Sequence, residues 1–149
     1  MNNVARVREL LLELVESTNS PVYVVCNEIV SYLEQHPKQR NLTIGGLRAA
    51  LHRSAHEDNV LIQSAFTLVG HPFLVFDVRY KLYDEDIDDV LEELDHLTYM
   101  IALSEEHFID DEGNDISIEE LHARIFPYFV NRFQQNDDSQ VHVSTGAAQ

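Results

Sequence analysis

Apolar residues at Val4, Val7, Leu10, Leu11, Leu14 and Val15 recur at helical spacing, with Asn2 or Asn3 placed to cap, and predict an amphipathic first helix. Leu12 widens its stripe and leaves room for a second contact. Ser20-Pro21 reads as an N-cap followed by proline at the first helical position. The segment from there to His36, closed by Pro37, predicts a helix with Val22, Val25, Ile29, Val30 and Leu33 inside. Thr43 is placed to cap a third helix carrying Ile44, Leu47, Ala50 and Leu51. Gly45 and Gly46 weaken that helix by about 1 kcal/mol each relative to alanine, so close packing or a turn must account for them. Asp58 caps a fourth helix with Val60, Leu61, Ala65, Leu68 and Val69 inside, stopped by Gly70 and Pro72. Across Phe73 to Tyr83 the period changes to that of a strand: an apolar run, then Val78, Tyr80 and Leu82 alternating with Asp77, Arg79 and Lys81.

Three helices followed by a strand or hairpin across residues 21 to 83 resemble a winged-helix arrangement at the level of pattern, which carries no function by itself. Beyond Asp84, Ile87, Val90, Leu91, Leu94, Leu97 and Ile101 mark one face of an expected acidic helix, and Asp88, Asp89, Glu92 and Asp95 mark the other. Asp110 to Asp115, with Gly113, reads as an acidic turn at the tip of a hairpin between His107-Phe108-Ile109 and Ile116. Ser117 and Glu120 have capping-box spacing, and Ile116 with Leu121 take the two positions of a hydrophobic staple. A closing helix is expected through Leu121, Ile125, Phe126, Phe129 and Phe133, with a kink or restart at Pro127. The expected fold class is α+β, mostly helical: a winged-helix-like core, an acidic helix, an acidic turn and a C-terminal helix. Residues 1–133 are expected to form one compact domain, charge-balanced over 1–83 and acidic over 84–133. The polar tail 134–149 is expected to be disordered.

Charge alters this picture more than composition does. The 149 residues carry a formal charge of -16, and all of it lies in residues 84–149. Residues 1–83 hold eight bases and eight acids, whereas residues 84–149 hold eighteen acids against Arg124 and Arg132. At 44 % hydrophobic the chain has material for a real core. No apolar run reaches the roughly 18 residues of a membrane span, and the one cysteine, Cys26, cannot form an internal disulfide. A cytoplasmic protein with no cofactor and no membrane partner is the expectation.

Candidate chemistry is sparse. His52 and His56 are four apart, the spacing that puts two imidazoles on one helix face, but a glutamate beside the first histidine and a third ligand are missing. Their ordinary reading is as surface histidines, with a metal-dependent enzyme as the minority alternative. A calcium loop over 110–115 fails in register, because Phe108 would fall at the first ligand position if Gly113 took the sixth. Cys26 lies inside a predicted helix without a basic neighbour and reads as packing. As a transcription regulator, the protein would read DNA with Asn59, Gln63, Ser64 and Thr67 of the fourth helix. Phosphate contacts would come from Lys38, Arg40, Arg48, Arg53, Arg79 and Lys81. The overall charge, and Glu57 and Asp58 at that helix's start, disfavour direct nucleic-acid binding.

The remaining reading is a non-enzymatic acidic protein that regulates, inhibits or escorts a partner with a basic surface, such as a nucleic-acid-binding protein. The expected contact residues are Asp84, Glu85, Asp86, Asp88, Asp89, Glu92, Glu93, Asp95, Asp110, Asp111 and Glu112. On a helix, Asp84 to Asp95 would carry roughly one charge every 2 Å of axis, near the density of duplex DNA, so nucleic-acid mimicry is within reach. A homodimer through Val4, Val7, Leu11 and Leu14 is a further expectation.

Overall fold

The computed structural model describes residues 3–133, so the disorder expected of 134–149 lies outside the described residues. Six α-helices and six strands occupy them, a mixed α+β architecture. Contacts group the chain into two units, one of residues 3–77 with 129–133 and one of residues 78–128. No helix among the described residues is long and apolar enough to cross a membrane.

The first unit begins with α1 (Val4–Thr18), whose Asn3 side chain accepts from Arg6 N at 2.8 Å. Its buried residues are Val7 and Leu11, and it packs on α2 (Pro21–Gln35), started by Ser20 and Pro21 as expected. Val25, Cys26, Ile29, Val30 and Leu33 of α2 are buried, and α2 packs in turn on α4 (Asp58–Thr67). After the short strand β1 (Asn41–Leu42), Thr43 Oγ1 accepts from Gly46 N at 3.0 Å to start α3 (Ile44–Ala50). A Cβ on Gly46 would stand 3.3 Å from that same oxygen, so the cap accounts for this glycine.

The start of α4 differs from expectation. A 3-10 turn at Ala55–Glu57 precedes it, and Glu57 accepts from Ser54 N at 3.1 Å in a capping box. Asp58 instead takes two hydrogen bonds from the Arg48 guanidinium, at 2.8 and 2.9 Å.

Strand β2 (Phe76–Tyr83) leads out of the first unit, and β6 (Ile125–Asn131) leads back into it. At its far end β6 pairs antiparallel with β1, Val130 opposite Asn41 and Phe129 opposite Leu42. The closing helix expected through Phe133 is therefore corrected: α6 (Ile118–Arg124) ends where Ile125 turns extended. Pro127 cannot donate within a helix, and the β-branched and aromatic residues around it suit a strand.

In the second unit the acidic helix is likewise corrected. Val90–Asp95 is strand β3, and the helix α5 (His96–Glu105) begins only after Asp95 caps it, accepting from Thr98 N at 2.8 Å. β3 runs antiparallel to β2, with Arg79 opposite Asp95, Tyr80 opposite Leu94 and Lys81 opposite Glu93. Opposite charges across an antiparallel pair stabilise it by about 0.2–1 kcal/mol each. Helical spacing in this stretch is coincidental: Leu94 is buried, whereas Ile87, Val90, Leu91, Leu97 and Ile101 are exposed. Ile87 has φ 58°, a left-handed conformation that costs a β-branched residue dearly and breaks any helix there. The expected hairpin is present as β4 (His107–Ile109) and β5 (Asp115–Ser117). Ser117 Oγ then accepts from Glu120 N at 3.2 Å to start α6, with Ile116 and Leu121 buried.

Phe129 is wholly buried against Phe66 and Phe76, with ring centroids at 5.2 and 5.3 Å. Phe129→Ala is expected to cost about 3–5 kcal/mol, measured as a lower urea midpoint; a loss below about 1 kcal/mol would mean that the cluster is not a core.

Candidate acidic binding surface

Acids from two separate stretches of the second unit line one cavity of about 370 Å³. Asp84 and Glu85 enter from the end of β2, Asp110, Glu112 and Asn114 from the β4–β5 turn, Asp115 and Ile116 from β5, and Glu120 from α6; Leu91 of β3 adds an apolar side chain. One cation lines it, Arg124, whose buried guanidinium donates to Tyr83 O at 2.9 Å and to Glu120 Oε2 at 2.5 Å.

The local backbone explains why these carboxylates stand where they do. Asp84 Oδ1 accepts from Asp88 N at 2.9 Å, and Asp84 N donates to Asp89 O at 2.9 Å, so Asp84 closes the turn between β2 and β3. Asp110 Oδ1 accepts from the backbone of Asn114 at 2.8 Å and of Glu112 at 3.0 Å. Those N–H groups, Asn114 first, hold the Asp110 carboxyl below its ordinary pKa and keep it ionised.

Of the eleven expected contact residues, the structure sets several to internal tasks. Glu93 accepts from Tyr128 OH at 2.7 Å and lies 3.9 Å from Arg79. Asp95 is the cap of α5, and the Thr98 N–H lowers its pKa. Glu92 is half-buried and accepts from Asp111 N at 3.0 Å. Burial pushes the Glu92 pKa up, that hydrogen bond opposes the shift, and the charges of Asp111 and Asp110 add to it. Glu85, Asp86, Asp88, Asp89, Asp111 and Glu112 are exposed. Asp115, Glu120 and Arg124 complete the cavity and are not among the expected contact residues; the expected hairpin and the Ser117 cap bring them there, while the Glu120 carboxylate turns to Arg124 and leaves the reciprocal half of the capping box unmade.

Other expected sites fare differently. His52 follows α3 with φ 56° and His56 lies in the 3-10 turn, 3.0 Å from Ser54 Oγ, so the two do not share a helix face. Among the described residues no group of three or more His, Cys, Asp or Glu is placed to hold a metal. Ser64 is buried, its hydroxyl donating to Val60 O and Val22 O at 2.7 and 3.1 Å, and so is withdrawn from any recognition surface. Arg48 is bound to Asp58, Arg53 to Glu28 and Glu57, and Lys81 sits 5.1 Å over the Tyr128 ring. Val7 and Leu11 are buried within the first unit, which removes both from the expected dimer face. Cys26 is buried as expected, its thiol pushed up to about 12 by burial.

Glu92 gives this surface a testable pH signature. Because its pKa is raised on folding, the folded state holds the proton more tightly than the unfolded chain, and stability falls as pH rises through that range. Glu92→Gln retains an acceptor for Asp111 N. It is expected to raise the urea midpoint near pH 7, with the gain vanishing below about pH 4, where Glu92 is protonated in both states. A loss of stability near pH 7 would contradict this. Compared with protein-family models, curated proteins and solved structures, the chain matches none.

Proposed function

We propose that the protein is a non-enzymatic binding protein whose second unit presents an acidic surface to a partner with a basic face, which it regulates, inhibits or escorts. The observation that carries this reading is the convergence of Asp84 and Glu85 with Asp110, Glu112, Asp115 and Glu120 on one cavity. In the second unit sixteen acids stand against Arg79, Lys81 and Arg124. A field of that sign speeds association with basic partners and weakens as salt rises. The density argument for nucleic-acid mimicry loses its basis, because β3 spaces its residues about 3.3 Å apart and alternates their faces. A basic protein surface is the partner class that remains. A reducing cytoplasm is the setting that suits the single buried cysteine.

The order α2, β1, α3, α4 in the first unit, with β2 following it along the chain, supports a winged-helix-like reading of residues 21–83. DNA binding on it is the second reading. Its weakness is that Ser64 is buried and that Arg48 and Arg53 are held in ion pairs.

The test uses a polylysine peptide as probe. Affinity is expected to fall steeply with salt, and Glu85→Lys and Glu112→Lys combined, both exposed residues of the cavity wall, are expected to weaken binding at least about tenfold at low salt and to flatten that dependence. Equal affinity and equal salt dependence in the two proteins would overturn the proposal.

A further inference from the structure

Large exposed apolar residues concentrate in the second unit, alongside its charge. On α5, Leu97, Met100 and Ile101 are 69 %, 45 % and 47 % exposed. Their spacing of i, i+3 and i+4 puts them on one helix face. Ile101 continues into a cavity of about 250 Å³, closed by Phe108 and by Ile109, itself 58 % exposed, with Glu105 at its edge. The buried residue of α5 is Ala102, so the helix spends little of its apolar surface on its own unit. A contiguous apolar patch that a charged unit leaves uncovered marks an interaction surface.

The charge of the unit selects the occupant. A second copy docking here would set sixteen acids and three bases against the same complement, and an anionic lipid surface would be repelled likewise. An apolar ridge flanked by Lys or Arg satisfies both features at once. We infer that α5 and the adjoining Ile101–Ile109 cavity dock a basic amphipathic helix of a partner protein. One large apolar side chain of that helix is seated in the cavity, and its lysines and arginines face Glu105 and the neighbouring acids. This rests on the acidic-surface reading and specifies the partner's chemistry: the acids steer, and the apolar anchor sets affinity and register.

The full chain is titrated, by fluorescence anisotropy, with a labelled peptide of about 16 residues carrying Leu at i, i+3, i+4 and i+7 among lysines, and with a scrambled peptide of the same composition. The amphipathic peptide is expected to bind at least about tenfold tighter than the scrambled one. Leu97→Ser with Ile101→Ser, both at exposed positions, are expected to remove that advantage while leaving the salt dependence in place. Equal binding of the two peptides, both salt-dependent, overturns the α5 site and leaves the acidic reading standing. Binding of neither overturns both. Concentration-dependent self-association abolished by Ile101→Ser overturns the choice of partner and makes a second copy the occupant.

Discussion

The second unit must hold sixteen carboxylates together with three cations, and the placement of those cations is the constraint that organises it. Arg124 is the buried one. By donating to Tyr83 O and to Glu120 it ties the end of α6 to the end of β2, and it stands in the wall that the acids share. Arg79 and Lys81 lie on β2, opposite Asp95 and Glu93 of β3. Each cation thus works inside the fold and offsets only its nearest acids, and the unit keeps a strong net field.

That field and the exposed apolar residues have to be read together. Acids alone would suit a solubilising surface, and exposed Leu97, Met100 and Ile101 alone would suit burial against another copy. Their coincidence on one small unit is the reason for proposing a partner that is both basic and amphipathic. The first unit holds its arginines Arg48 and Arg53 in ion pairs and exposes fewer large apolar residues, Leu12, Val24 and Ile62.

The first four helices were legible because each signal is local: Asn3, Ser20 and Thr43 cap where the pattern puts them. The turn into α4 is set by Ser54 and Glu57, which have the same spacing as Ser117 and Glu120, and not by Asp58. Helical spacing masks strands β3 and β6 for different reasons. The partner of β6, Asn41–Leu42, is distant in sequence, whereas β3 pairs with the neighbouring β2, whose Arg79 and Lys81 fall just outside a helical window over Ile87 to Ile101. Pro127 and the β-formers beside it were the available hint for β6. At the site, charge alone points to the acids of 84–95 and 110–112. That Asp95 and Glu93 would be absorbed into a cap and a cross-strand contact needed the fold.

If the acidic unit carries its charge at a cost to its own stability, screening should relieve that cost. The direct measurement is the urea midpoint of the full chain near neutral pH as sodium chloride is raised from about 50 mM to about 500 mM. Unrelieved self-repulsion predicts a midpoint that rises with salt. A midpoint that falls or stays flat would show that the carboxylates are neutralised within the fold, and would contradict an acidic surface kept open for a basic partner.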